Sequence, residues 1–154
     1  MEKEEYRGMG TTVVAVYFGN SIPAVAHVGD SRLYRIRSRK IEQITEDHSV
    51  VWEQYREGLL PKEALSSSPL KNVVTRALGM NPTVDVDVQQ LEVQKGDQLL
   101  LCSDGLSDLV GDEELLSTVE EASGKLDQAC SQLVQLANQR GGKDNITVLL
   151  IKID

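Results

Sequence analysis

Three aspartates are the residues of this chain best suited to do chemistry. Asp30 and Asp104 each follow an apolar run, Asp144 precedes one, and each stands beside a glycine or a small polar residue. An acid at a strand end is held by a rigid sheet while its carboxylate stays at the rim, so several such acids can converge on a hard cation that prefers oxygen ligands. Their separations are 104 − 30 = 74 and 144 − 104 = 40 positions. A shared site would therefore be created only by tertiary folding.

A simpler explanation uses the same residues. Gly-Asp and Asp-Gly pairs are common turn sequences, because an aspartate side chain hydrogen-bonds its own backbone there. Short motifs of this kind have weak specificity. Spacing alone leaves both explanations open.

The elements that must position these acids are strands and helices in an α+β arrangement. Hydrophobic patterning predicts strands over 11–18, 22–28, 32–37, 41–44, 83–93, 98–102 and 146–151, and helices over 112–121 and 125–140. The pattern further predicts that the strand 11–18 is covered on both faces, that 83–93 has one wet face, and that 98–102 is central and 146–151 buried. The segment 46–80 is predicted to be an irregular, partly helical insertion, with helical spacing from Val50 to Tyr55 and a break at Ser66–Pro69.

Composition narrows the class of protein. The chain has 154 residues, 40% hydrophobic and 26% charged, and 16 basic minus 24 acidic side chains give a net charge of −8. This predicts one globular domain over residues 1–154. Two cysteines, Cys102 and Cys130, and no apolar run near ~20 residues favour a reducing cytoplasm and no membrane. The acidic balance argues against a nucleic-acid partner.

Six short segments, in order along the chain, carry a family resemblance. They are Gly8-Met9-Gly10-Thr11-Thr12, Ala26-His27-Val28-Gly29-Asp30-Ser31-Arg32, Gln43-Ile44-Thr45-Glu46-Asp47-His48-Ser49, Val74-Thr75-Arg76-Ala77-Leu78-Gly79, Leu100-Leu101-Cys102-Ser103-Asp104-Gly105-Leu106 and Gly142-Lys143-Asp144-Asn145-Ile146-Thr147. Together they resemble the metal-dependent serine/threonine protein phosphatases of the type 2C (PPM) family, especially the bacterial kind. The resemblance implies an α+β sandwich in which antiparallel sheets are flanked by antiparallel helices.

The resemblance also implies roles for particular residues. Asp104 and Asp144 match ligands of a binuclear Mn²⁺ or Mg²⁺ centre, and Asp30, with Asp104, matches ligands of an additional, weaker ion in bacterial members. The segment 46–80 corresponds to the flap that borders the substrate groove. The implied reaction is hydrolysis of phosphoserine or phosphothreonine monoesters of proteins by a metal-activated water.

Four further residues are candidates for supporting roles or for contacts with substrate. Gly105 and Asn145 are expected to support the metal ligands, with Asn145 fixing the turn that presents Asp144. His48 is a candidate substrate or flap contact, although helix capping by its neighbours explains that segment as well. Arg76 either contacts phosphate or pairs with a surface acid, and the sequence does not choose between them.

One part of the family pattern is absent from these 154 residues. Family members carry an Asp-Gly-Met-Gly-Gly-His type motif before Gly-Met-Gly-Thr-Thr, and its Asp bridges both metals, whereas here only Met1–Arg7 precede it. Glu2, Glu4 and Glu5 read as a solvated end. We therefore expect a fold that is incomplete at the N-terminus, through an artificial truncation or a gene that has lost its beginning. We also expect fewer and weaker bound ions, little or no activity, and an exposed sheet surface that favours self-association.

Several other residues have simpler explanations than catalysis, and one alternative function stays open. Ser103 lacks the Gly-x-Ser-x-Gly context of a nucleophile, and His27 fits a buried core residue. The basic run Arg32–Lys40 is a candidate contact for a phosphorylated substrate, but a solvated strand face is expected instead. A nucleic-acid binder is disfavoured by the net charge and by the low aromatic content of 4%. A non-catalytic phosphatase-like binding or regulatory module is the main alternative, because it would keep the scaffold without the chemistry.

Overall fold

A computed structural model of the chain describes residues 8–19, 22–65 and 68–154. The chain divides into two compact units, the first comprising the chain up to Asp30 with Asp47–Leu91 and the second comprising Ser31–Glu46 with Glu92–Asp154. The predictions for Glu2, Glu4 and Glu5, and for Ser66 and Ser67, fall outside the described residues. The single domain over 1–154 stays a prediction.

The strands are β1 Val13–Tyr17, β2 Ala24–Val28, β3 Arg32–Arg37, β4 Lys40–Gln43, β5 Asp87–Gln90, β6 Gln98–Cys102 and β7 Val148–Lys152; the helices are α1 Val50–Arg56, α2 Asp104–Ser107, α3 Asp112–Glu121 and α4 Leu126–Gln139, with one 3-10 turn at Lys62–Ala64. All strand pairs are antiparallel. These elements match the predicted order, although several strands are shorter than the patterns indicated. The α+β class is confirmed.

The first unit contains a three-stranded sheet in the order β1-β2-β5. Its register pairs Ala15 with Ala26 and Ala26 with Val88, so these three residues share one face. On that face Tyr17 is 71% exposed and Val88 67%. The prediction that the first strand is covered on both faces is wrong, because only alternate residues of β1 are even partly buried.

The strand predicted over 83–93 is shorter in the structure. Only Asp87–Gln90 forms a strand, and its valine lies on the open face of the sheet. Of the four residues of β5 only Asp87 is partly buried, so the valine is exposed like the glutamines beside it.

The second unit contains a four-stranded sheet in the order β4-β3-β6-β7. Ser38 and Arg39 link β3 to β4 with positive φ angles of 50° and 60°, the conformation of tight hairpin turns that match strand twist. β6 is central, as its continuous apolar run predicts. The prediction that the last strand is buried is wrong, since β7 is an edge strand and Leu149 is exposed.

Helices α3 and α4 complete the second unit. Three acids in the first turn of α3 suit the positive end of its dipole. The apolar face of α4 buries Ala129, Leu133 and Ala137 in a cluster with the sheet residues Tyr34 and Leu100. This core fixes β6, and β6 in turn positions the residue that follows it. Both helices are confirmed to within a residue or two.

In the part of the chain that the structure describes, no helix combines the length and the apolar character required to cross a bilayer.

Candidate functional site

Asp104 stands where the central strand β6 ends. β6 runs to Cys102, and Ser103 then leaves the strand in an extended conformation to start the short helix α2 at Asp104. One Asp104 carboxylate oxygen accepts the Gly105 N–H at 2.8 Å. The aspartate is half-buried. Because it follows the central strand so closely, its carboxylate is held by a rigid strand end rather than by a mobile loop.

Asp144 lies on the turn that precedes the neighbouring strand β7, and Ser103 joins this turn to the end of β6. The Ser103 hydroxyl donates to the Asn145 carbonyl at 2.9 Å and accepts the Thr147 N–H at 3.0 Å. The Asp144 carboxylate accepts the Asn145 N–H at 2.6 Å. One residue just after β6 thereby clamps the turn that carries Asp144 to the end of that strand.

Gly105 sets how closely the two turns approach. A Cβ at this position would lie 2.4 Å from the Asn145 carbonyl oxygen and 3.4 Å from that of Asp144. Because carbon does not approach oxygen this closely, only glycine permits the observed packing. The sequence predicts a supporting role for Gly105 and Asn145 without indicating this mechanism.

The electrostatics of the pair suit a cation. Burial raises the pKa of Asp104, and the negative charges of Asp144 and then Asp108 raise it further, against the Gly105 hydrogen bond. A bound divalent ion would relieve this repulsion, and carboxylate oxygens are the ligands that Mg²⁺ and Mn²⁺ prefer. The residues present therefore fit the metal that the sequence resemblance implies.

Asp30 lies in the first unit, on a turn held by His48. Gly29 adopts a φ of +106°, and a Cβ there would lie 2.2 Å from a methyl carbon of Thr12. The Gly29 N–H donates to His48 Nδ1 at 3.1 Å, and the His48 N–H donates to the Gly29 carbonyl at 2.9 Å. Asp30 itself is 8% exposed. Since Asp104 and Asp144 lie in the second unit, the convergence of all three acids stays a prediction.

His48 begins a short run of hydrogen bonds at the base of the 46–80 segment. Its carbonyl accepts the Thr75 N–H at 2.8 Å, and Val50 N–H donates to the Val73 carbonyl at 3.0 Å. Ser49 occupies the N-cap position of α1 but makes no capping bond with its side chain. Of the two residues that the sequence offers as caps of this helix, Ser49 does not cap it with its hydroxyl, and capping by Asp47 stays a prediction.

A second group of potential ligands surrounds the same histidine. Among the described residues, His27, His48 and Asp87 form the one set of three whose ligand atoms all lie within 4.8 Å of one another. The two imidazole rings stack with centroids 4.6 Å apart. His48 Nε2 lies 3.1 Å from Asp87 Oδ2 without the alignment of a hydrogen bond.

Protonation argues against a metal at this second group. A backbone N–H can only donate, so the bond from Gly29 requires a lone pair on His48 Nδ1, and a neutral imidazole then carries its proton on Nε2. Burial lowers the pKa of His48, which keeps the ring neutral. The nitrogen that faces Asp87 is thus an N–H group, which cannot bind a cation.

Arg76 occupies the remaining side of Asp87. Its guanidinium donates to Asp87 Oδ1 at 2.8 Å. Burial raises the pKa of Asp87, but the interactions with Arg76 and His48 outweigh burial and hold that pKa below its usual range. The sequence left open whether Arg76 pairs with an acid or contacts phosphate; the structure places it in an ion pair, and a phosphate contact stays a prediction.

The basic run of β3 and its turn is also engaged with acids. Arg35 pairs with Glu42 and Arg39 with Glu120, and Arg37 forms two hydrogen bonds of 2.7 and 2.6 Å to the carboxylate of Asp97. Acidic side chains thus offset three of the basic residues of this run.

Comparisons with known proteins agree with this geometry. The model of the family "Protein phosphatase 2C" matches residues 2–146. The chain belongs to the protein phosphatase 2C family. The serine/threonine phosphatase stp of Listeria monocytogenes is 41% identical over 150 residues, which are 97% of this chain and 59% of that protein. The protein phosphatase PhpP of Streptococcus pneumoniae is 37% identical over 153 residues, 99% of this chain and 62% of that protein.

Solved structures of protein phosphatase 2C relatives confirm the fold. The serine/threonine phosphatase PstP/Ppp of Mycobacterium tuberculosis superposes with a TM-score of 0.89 at 36% identity, over 96% of this chain and 62% of that one. The catalytic domain of PstP, solved with two manganese ions, gives a TM-score of 0.79 at 33% identity, over 96% of this chain and 61% of that one. The chain thus spans about three-fifths of the relatives it matches.

Proposed function

We propose that these residues form part of the active site of a metal-dependent protein serine/threonine phosphatase. In this proposal Asp104 and Asp144 are ligands of Mn²⁺ or Mg²⁺, and Asp30 is a ligand of a further ion. The observation that carries the proposal is that Ser103 clamps the turn of Asp144 to the end of β6, where Asp104 stands, and that Gly105 allows the two turns to approach closely. The names of the relatives support phosphorylated serine and threonine residues of proteins as the substrate.

Each residue contributes a separate physical task. Asp104 and Asp144 concentrate negative charge where a cation is to be held; burial first, and then the charge of Asp144, raise the pKa of Asp104. Ser103 fixes their separation, so the ligands need no rearrangement before an ion binds. Bound Mn²⁺ or Mg²⁺ would supply an activated water and offset charge on the phosphoryl oxygens.

We expect the polypeptide of these 154 residues to hydrolyse little or no phosphoester by itself. It contains no Asp-Gly-Met-Gly-Gly-His motif, the source of the bridging acid that the family resemblance implies. A site with two or three protein oxygens binds a divalent ion more weakly than one with a full set.

Calorimetric titration with Mn²⁺ tests the proposal. We expect uptake that Asp104→Asn and Asp144→Asn each abolish, whereas Glu114→Gln, which alters a surface ion pair on α3, leaves it unchanged. Wild-type chain that takes up no ion through these acids would instead indicate a non-catalytic module.

Turnover of p-nitrophenyl phosphate with Mn²⁺ separates the two parts of the proposal. Ion uptake without turnover is the expected result. Turnover that Asp104→Asn abolishes would refute the expectation of impaired activity while supporting the assigned ligands.

We also propose that a second copy of the chain covers the open face of the first sheet. The face carries exposed Val13, Tyr17 and Val88, and exposed apolar faces of this kind favour association. Sedimentation velocity should show a dimer that Tyr17→Lys converts to monomer, whereas Leu149→Lys, at an exposed apolar position of the other sheet, does not. Wild-type chain that stays monomeric at high concentration would refute the proposal.

A further inference from the structure

The contacts around His48 join two segments that the proposed function treats separately. The first is the turn that presents Asp30, which His48 holds through hydrogen bonds with both the N–H and the carbonyl of Gly29. The second is the end of the 46–80 segment, where the Thr75 N–H donates to the His48 carbonyl at 2.8 Å. One residue thus contacts both segments through its backbone.

The side chains make a second connection between the same two segments. His48 is 1% exposed, and its Nε2–H faces Asp87 Oδ2 at 3.1 Å. The other oxygen of that carboxylate accepts from Arg76 at 2.8 Å. Arg76 directly follows Thr75, so Asp87 lies between the His48 ring, at 3.1 Å, and the guanidinium at the end of the 46–80 segment.

Asp87 is itself held in place by the sheet. It lies on β5, and its register partner on β2 is His27, two residues before Gly29. The His27 ring stacks on that of His48. His27 and Asp87, which both contact the His48 ring, therefore lie on two paired strands. This restricts independent movement of the Asp30 turn and of the end of the 46–80 segment.

We propose that His48 is a positioning residue that couples the end of the flap segment to the Asp30 turn, through Gly29 on one side and through Asp87 and Arg76 on the other. This inference rests on the proposed function, because it treats Asp30 as a metal ligand. Displacement of Arg76 shifts the Asp30 turn and weakens its ion. By thermodynamic reciprocity, ion binding at Asp30 also stabilises the hydrogen bonds at the end of the flap segment.

Asp87 and Arg76 are both partly exposed, so substitutions at these positions test the coupling without disturbing the core. We expect Asp87→Asn and Arg76→Gln to weaken the Asp30-dependent uptake of Mn²⁺ by about two- to thirty-fold, the range typical of coupling carried by neighbouring side chains. Glu114→Gln, which disrupts an ion pair in the second unit, is the control and leaves the affinity unchanged. Thermal unfolding of each variant shows whether it is folded.

Two substitutions of the histidine separate positioning from simple packing. Asparagine places an oxygen near the position of Nδ1 and can accept from Gly29, whereas glutamine places its amide nearer to Nε2. We expect His48→Asn to bind Mn²⁺ more tightly than His48→Gln. A role in filling space alone predicts no such order.

Hydrogen exchange supplies a readout that does not depend on activity. Mn²⁺ should slow exchange of the Thr75 amide in the wild-type chain and much less so in Asp87→Asn. Asp30-dependent uptake of Mn²⁺ that is equal in wild type, Asp87→Asn and Arg76→Gln would overturn this inference and leave the proposed function intact. Absence of any Asp30-dependent uptake in the wild-type chain would overturn both.

Discussion

Gly105→Ala is the substitution for which the structure gives the sharpest expectation. The added carbon would lie 2.4 Å from the Asn145 carbonyl oxygen, where an ordinary contact begins at 3.4 Å, so the Asn145 turn must retreat by about 1 Å. That carbonyl accepts the Ser103 hydroxyl at 2.9 Å, and a retreat of this size breaks the bond. The perturbation therefore separates the turn of Asp144 from the end of β6.

The magnitude follows from three contributions. Overpacking against backbone costs about 1–3 kcal/mol, and loss of the Ser103 hydrogen bond costs about 1 kcal/mol. Alanine recovers up to about 1 kcal/mol in a helix relative to glycine. The free energy of unfolding should therefore fall by about 1–3 kcal/mol, which lowers the melting temperature by about 2–4 °C per kcal/mol for a chain of this size.

Urea and thermal unfolding measure this loss directly. Gly111→Ser is the matched control, because a Cβ at that position meets nothing within 4 Å and serine is a favoured N-cap residue for α3. The control should be neutral or stabilising. A Gly105→Ala variant as stable as Gly111→Ser, with unchanged amide chemical shifts at Asn145, would refute the reasoning.

Three further substitutions have expected outcomes. Asp97→Asn removes the carboxylate that Arg37 binds; since that bond holds the pKa of Asp97 below its usual range, the wild type should be the more stable above about pH 4, and the difference should vanish as the pH falls through the lowered pKa. Asp104→Asn should raise the melting temperature without metal, because the raised pKa of Asp104 means that folding loses stability as the pH rises above about 4; equal melting temperatures at pH 7 would contradict this. Gly29→Ala should destabilise by about 1–3 kcal/mol more than Gly58→Ala in urea unfolding, since both positions have positive φ but only the first lacks room for a Cβ; similar losses would argue against close packing at that turn.

Much of the fold could be predicted from the sequence because the relevant signals are local. The apolar run of β6 marks a central strand, and the spacing of apolar residues in α4 marks a helix with one buried face. The family resemblance likewise depends on short segments that are read without any tertiary information. The comparisons with relatives confirm the family and the fold, whereas the assignment of the metal ligands stays a prediction.

Predictions of burial were less successful, and the reason is physical. The residues of β1 are apolar on both faces, but the sequence does not say which face another element covers. Val88 and Leu149 are apolar and exposed because of where their strands lie in the sheets. The edge position of β7 depends on the pairing of strands that are distant in sequence.

The residues that support the site were hardest to foresee. Ser103 has no sequence context that marks it as a clamp, and Asp87 stands in an alternating strand where it resembles any solvated acid. Their roles arise only when β6 meets β7 and when β5 brings Asp87 to His48. The sequence by itself determined that Asp30 and Asp104 follow strands, that Asp144 precedes one, and the family to which the chain belongs. Tertiary structure decided which neighbours hold them, because hydrogen bonds between residues forty or more positions apart, such as that from Ser103 to Asn145, have no signature in local pattern.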